Sequence, residues 1–201
     1  MEQKTNRRIG VLGGSFDPVH MGHLAMAEEA LRAARLDRVF LMVAPRPPHK
    51  TLQASPEDRL TMARLAVRNR TGMEASDFEW HLPGTSYMAA TMAALHRAHP
   101  ADRLFFLAGE DALESMTGWY KKEELFALAE ILYFPRPSGA DGRRAAAYLE
   151  RACGARVRKI DGPLPDVSAS EIRRKIGTGL SIDGLTPDIV RHYIEDHKLY
   201  Q

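Results

Sequence analysis

Apolar residues come along this chain in two kinds of run, and the two alternate. Ile9, Val11 and Leu12, then residues 38–43 and residues 103–108, are short continuous runs of the kind a strand shows when both its faces are covered. Between the first two, Leu24, Ala27, Leu31 and Ala34 recur at helical spacing, so a helix begins near Met21 with its apolar face on a sheet. Ser55-Pro56-Glu57-Asp58 supplies an N-cap, a proline at the first helical position and acids in the first turn, opening a helix that runs to about Arg68. Residues 73–80 form a weaker strand, residues 83–86 a turn, and residues 87–98 a helix of strong formers. Residues 127–134 carry a helix end and a short strand, closed by Pro135-Arg136-Pro137-Ser138-Gly139. A helix over 143–153 and a last strand over 156–160 follow, and Thr186-Pro187-Asp188 starts one more helix through Glu195. This alternation predicts an α/β fold with a doubly wound, mostly parallel sheet. With 201 residues, 44% of them hydrophobic, the chain is expected to form a single domain over 1–201, its helical part from about 168 to 201 packed on the rest.

Charge adds little to that picture. Lys and Arg total 28 against 26 Asp and Glu, a net charge of +2, so a general nucleic-acid-binding role is not expected and any basic character must be local. The single cysteine, Cys153, cannot form an internal disulfide and falls at a helix end, where its role is packing in a reducing compartment. No apolar run is long enough for a signal peptide or a membrane span, so the expected location is cytoplasmic, with no membrane partner.

The chemistry concentrates at one junction. After the first strand, Gly13-Gly14 lets the backbone turn and approach a ligand where a Cβ would intrude, and Asp17-Pro18 bends the chain before the helix. His20 and His23 then fall in the first helical turn, where free N–H groups and the positive end of the dipole favour a phosphate. A lone histidine there is most simply a cap; the pair adds donors that can follow charge on a phosphate. Two histidines at this spacing have no third ligand nearby in sequence, so no metal site is expected. The second strand ends at Ala44-Pro45-Arg46-Pro47-Pro48-His49-Lys50, a stiff loop that is either a solvated turn or a phosphate contact through His49 and Lys50. The strand over 103–108 ends at Gly109-Glu110-Asp111, beside the crevice where open α/β sheets take ligands. Ser168 caps a further helix with Glu171 three residues on, and Ser170 and Arg173 in its first turns make a second anion site, expected to face the first across the sheet. Neither Gly-x-Gly-x-x-Gly nor Gly-x-x-x-x-Gly-Lys occurs, which disfavours a dinucleotide oxidoreductase and a P-loop hydrolase.

Gly13-Gly14-Ser15-Phe16-Asp17-Pro18-Val19-His20-Met21-Gly22-His23-Leu24 resembles the first signature of the His-x-Gly-His nucleotidyltransferases, with Ser15 where Thr is usual. Val167-Ser168-Ala169-Ser170-Glu171-Ile172-Arg173 resembles their closing signature. Pro48-His49-Lys50, Ser86-Tyr87, Gly109-Glu110-Asp111, Gly118-Trp119-Tyr120, Arg136-Pro137 and the stretch from Leu185 to Ile194 narrow the likeness to the bacterial nicotinate-nucleotide adenylyltransferases, from Ile9 to Tyr200. The resemblance implies a Rossmann-like nucleotidyltransferase fold and adenylyl transfer from ATP to nicotinate mononucleotide, giving deamido-NAD and pyrophosphate. It implies an ATP site of Gly13, Gly14, Ser15, Phe16, His20, His23, Gly109, Asp111, Ser168, Ser170 and Arg173, with His20, His23 and Arg173 catalytic. It implies an acceptor site of Ser15, Lys50, Met88, Ala89, Trp119, Tyr120 and Arg136, in which Trp119 stacks on the nicotinate ring and the amides of Ala89 and Tyr120 hold its carboxylate. Mg²⁺ is expected to come with ATP. The chain departs from the family at Met88, where Thr is usual, and at His81, where Arg is common, and both changes bear on the acid pocket. Two other functions stay open: the same transfer to nicotinamide mononucleotide or phosphopantetheine, and a non-catalytic nucleotide-binding protein of the same fold.

Overall fold

A computed structural model describes residues 6–48, 51–135 and 142–201 of the chain. Six strands pair, all in parallel, in the order β3-β2-β1-β4-β5-β6. They are β1 (Arg8–Gly14), β2 (Arg38–Val43), β3 (Met73–Ser76), β4 (Arg103–Gly109), β5 (Ala129–Phe134) and β6 (Arg156–Lys159). The helices are α1 (Met21–Ala33), α2 (Pro56–Val67), α3 (Met88–Ala98), α4 (Glu110–Ser115), α5 (Lys122–Leu128), α6 (Arg143–Cys153), α7 (Ala169–Gly177) and α8 (Asp188–Asp196). The chain winds outward from β1 in one direction and from β4 in the other. The crevice between their carboxyl ends is therefore the switch point at which such sheets take ligands.

Both faces of the sheet are covered, which explains the unbroken apolar runs. Leu12, Leu41, Phe105 and Leu107 point to one side, where Leu24 of α1, Met62 of α2, Ile172 of α7 and Val190 of α8 complete one core. Val11, Met42, Phe106 and Ile131 point to the other and pack with Met92 of α3, Leu113 of α4, Phe126 of α5 and Leu149 of α6. The cap on α2 forms as expected, the Ser55 hydroxyl accepting the Asp58 amide at 3.0 Å. The C-terminal helices are sewn to this frame: Thr186 Oγ1 donates to the Val19 carbonyl at 2.9 Å, and the Tyr193 hydroxyl to Asp58 at 2.8 Å.

Local structure departs from the sequence expectations in several places. The strand expected over 73–80 ends at Ser76, whose hydroxyl accepts the Phe78 amide, and residues Phe78–His81 then form a 3-10 turn that swings Glu79 inward. The turn expected at Gly13-Gly14 comes later, because both glycines remain in β1, paired with Met42 and Val43. The left-handed residue is Phe16 at φ 50°, and the Asp17–Pro18 peptide is cis. After Gly109 the chain enters α4 at once, then a 3-10 turn over Met116–Gly118. These elements are too short for a periodic signal, yet Leu113 and Met116 bury fully.

Candidate active site

A cavity of about 870 Å³ opens at the carboxyl ends of β1 and β4. Leu12, Gly13, Gly14 and Ser15 line its floor, Gly109, Asp111 and Ser115 one side, and residues 164–169 another. Three helix starts converge on it: His20, Gly22 and His23 of α1, Tyr87 and Met88 at α3, and Ser168 and Ala169 at α7. Each brings the positive end of a helix dipole, which favours an anion at the cavity. The α7 start lies beside α1 and not across the sheet, since Val167 Cγ1 would stand 3.3 Å from a Cβ on Gly22. A glycine lets the two helix starts meet.

The His20 backbone N–H donates to His23 Nδ1 at 3.2 Å. That bond uses the Nδ1 lone pair, so the His23 ring proton sits on Nε2 as a hydrogen-bond donor. The two imidazoles stack with centroids 3.6 Å apart, and Phe16 packs edge-on to His23 at 4.9 Å. Phe16 is thus a support beneath the site and not one of the residues lining it, in contrast to the nucleotide contact expected from the sequence.

The turn carrying these groups is fixed by a buried polar network around Asp17 and Arg59. Arg59 is fully buried and donates from one nitrogen to the Ser15 and Ala44 carbonyls, each at 2.7 Å. Burial lowers its guanidinium below the usual arginine range, and the Asp17 charge opposes that. The Asp17 carboxylate accepts the Gln53 and Ala54 amides at 3.0 Å and the Tyr200 hydroxyl at 2.9 Å.

The far end of the cavity is aromatic. The Trp119 Nε1–H donates to Ser115 Oγ at 3.0 Å, and its ring stands edge-on to Phe106 at 5.7 Å. Tyr120 tilts against Tyr87 at 4.7 Å. Met88, at the first position of α3, lays its terminal methyl over Gly13, 2.2 Å from where a Cβ would stand. Glu79, 2% exposed, also lines the cavity; it accepts the Thr91 hydroxyl at 2.7 Å, and burial raises its carboxyl above the usual range. Arg46 spends its guanidinium on the Gly84 and Leu82 carbonyls at 2.7 and 2.8 Å, tying the proline loop to the turn before α3.

Of the residues expected from the sequence, Gly13, Gly14, Ser15, His20, His23, Gly109, Asp111, Ser168, Met88, Trp119 and Tyr120 line this one cavity. Ala89 is buried in the first turn of α3 and is not among the lining residues. Ser170 and Arg173 are not among the lining residues; Arg173 donates to the Asp17 carbonyl at 2.6 Å and to Ser170 Oγ at 3.3 Å. His81 is exposed and outside the lining, so of the two departures only Met88 touches the cavity. Lys50, its neighbour His49 and Arg136 lie outside the described residues. Sequence reasoning missed Glu79, Arg59 and Tyr200. An arginine and an acid inside apolar periodic stretches were the available signals.

Residues 11–175 match the model of the cytidylyltransferase-like family. A curated relative from Synechococcus sp. (strain JA-3-3Ab), named "Probable nicotinate-nucleotide adenylyltransferase", is 40% identical over 96% of this chain and 95% of its own length. A relative of the same name from Roseiflexus sp. (strain RS-1) is also 40% identical, over 96% of this chain and 98% of its own. The chain belongs to the nicotinate-nucleotide adenylyltransferase family. Its fold is that family's: the Plasmodium falciparum nicotinic acid mononucleotide adenylyltransferase complexed with NaAD superposes with a TM-score of 0.82 at 18% identity, covering 96% of this chain and 97% of the other. As a nicotinate-nucleotide adenylyltransferase-family member, the chain is a nucleotidyltransferase of NAD biosynthesis.

Proposed function

We propose that this chain transfers the adenylyl group of ATP to nicotinate mononucleotide, with His20 and His23 at the reacting phosphate. The observation that carries this reading is the convergence of three helix starts and a stacked histidine pair on a cavity whose other end is walled by Trp119 and Tyr120. A phosphate oxygen of the mononucleotide attacks the α-phosphorus of ATP, the bond from that phosphorus to the bridging oxygen breaks, and pyrophosphate leaves with its electrons. The nucleophile is already anionic, so the protein supplies alignment and charge stabilisation and needs no general base. His23 Nε2–H is the fixed donor, held by the His20 amide. The amides at the starts of α1 and α7 and the Ser168 hydroxyl take the phosphates, and Arg173 adds its charge from behind the Asp17 turn. Trp119 offers its ring face to the pyridine, while the start of α3 offers N–H groups to its carboxylate.

The divalent ion of the reaction is Mg²⁺, which neutralises charge on the triphosphate. Among the described residues no group of three or more His, Cys, Asp or Glu side chains could hold an ion, so its ligands would be phosphate oxygens and water; Asp111 lines the cavity. Cys153, unpaired at the end of α6, fits a reducing cytoplasm.

The test is a comparison of kcat/KM for nicotinate mononucleotide, nicotinamide mononucleotide and phosphopantetheine. A carboxamide turns an N–H₂ donor toward an N–H donor, and one unpaired donor costs ~1–3 kcal/mol, so the acid should be preferred by about tenfold or more. Equal or better use of either alternative acceptor would overturn the assignment.

A further inference from the structure

We propose that Tyr200 is a positioning residue of the nucleotide site: its hydroxyl anchors the Asp17 carboxylate and thereby fixes the turn whose carbonyl holds Arg173. The proposal rests on the adenylyl-transfer reading above. Asp17 is 2% exposed and shares its charge between two cations. Arg59 lies on one side, its guanidinium committed to backbone carbonyls. Arg173 lies on the other, its Nη1 at 2.6 Å from the Asp17 carbonyl but 3.9 Å from the carboxylate oxygen Oδ2. Arg173 therefore reaches the Asp17 turn mainly through the backbone carbonyl, while the carboxylate is anchored by other donors. Oδ1 accepts from Ala54 N and the Tyr200 hydroxyl, and Oδ2 from Gln53 N.

Of these three donors, the Tyr200 hydroxyl alone is a side chain, and it comes from 183 positions away. The backbone at Tyr200 is left-handed, with φ 65°, a conformation that aromatic residues rarely adopt, as is Lys198 at φ 51°. Contacts of the ring with the core beside α1 and the bond to Asp17 hold the chain end in that shape. Burial, together with the Asp17 charge, pushes the phenol well above its usual range, so it remains a donor wherever the enzyme works.

Without this hydroxyl, Oδ1 keeps one donor, Ala54 N, and the turn whose carbonyl holds Arg173 loses one of the three bonds that anchor its carboxylate. An Arg173 that shifts with that turn no longer brings its charge to bear on the triphosphate. Tyr200→Phe removes the hydroxyl and keeps the ring. It should raise the KM for ATP about five- to tenfold, the range of a residue that acts on a ligand through an intermediary, and leave the KM for the acceptor within about twofold. Tyr193→Phe is the control, because it removes a like phenol-to-carboxylate bond, to Asp58, from the same C-terminal part of the chain. It should leave the ATP KM unchanged. An unchanged ATP KM in Tyr200→Phe, an equal rise in Tyr193→Phe, a parallel change in both KM values, or a Tyr200→Phe chain that does not fold would each make Tyr200 merely structural and overturn the proposal. A wild-type chain that forms no dinucleotide would instead overturn the adenylyl-transfer reading.

Discussion

Arg59→Met is the substitution that probes the frame of the site most severely, because the side chain is fully buried and spans two loops. Methionine fills a similar volume but donates nothing. The Ser15 and Ala44 carbonyls, each now accepting at 2.7 Å, would lose a charged donor. Each unsatisfied buried group costs ~1–3 kcal/mol, and the buried Asp17 charge would lose one of its two neighbouring cations, keeping Arg173. The terms overlap, and release of the buried guanidinium offsets part of them, so a net loss of about 3–5 kcal/mol is expected. At ~2–4 °C per kcal/mol for a chain of this length, Tm should fall by roughly 6–20 °C. Thermal unfolding followed by circular dichroism measures this directly. A fall of less than about 3 °C in Arg59→Met, near the effect of about 1 kcal/mol, would refute the claim that Arg59 ties the phosphate loop to the end of β2.

Two further variants test the acceptor side. Burial raises the Glu79 carboxyl above its ordinary 4.5, so the folded chain holds a proton there that the unfolded chain releases. Its contribution to stability is full below that pH and is lost as pH rises through the folded value, so the Tm advantage of Glu79→Gln over wild type should grow upward from about pH 4.5; a flat difference would refute the effect. Gly13→Ala places a methyl where the Met88 terminal methyl now lies, and that flexible end must swing into the cavity. Stability should change by less than about 1 kcal/mol while the acceptor KM rises about fivefold or more, and Met88→Ala in the same chain should restore it; an unchanged KM would remove Met88 from the acceptor site.

Much of this architecture could be read from the chain. Unbroken apolar runs specify buried parallel strands, and the Ser55 cap and the helical spacing after Met21 place α1 and α2 to within a residue or two. The cavity end formed by His20, His23 and Ser168 was legible because glycines, hydroxyls and histidines at strand-to-helix junctions carry local signals. What could not be read depends on contacts far apart in sequence. Arg59 and Tyr200 look like ordinary helix and tail residues until folding brings both to Asp17. Phe16 reads as a ligand neighbour beside its glycines, yet its left-handed backbone turns the ring beneath His23. Arg173 looks free for a triphosphate, and in the fold its first partner is the Asp17 carbonyl.

The central claim is that the strand-to-helix junction carrying His20 and His23 performs adenylyl transfer. Single-turnover reaction of nicotinate mononucleotide with ATP labelled at the α-phosphate, followed by rapid quench for wild type and His23→Ala, tests it most directly. Wild type should pass the label into a dinucleotide with one equivalent of pyrophosphate. His23→Ala should still bind ATP and fold but transfer the label slower by on the order of 10²–10³, the loss of one positioned donor to a developing phosphate charge. Transfer in His23→Ala within about threefold of wild type, a difference of under 1 kcal/mol in barrier, would contradict the account.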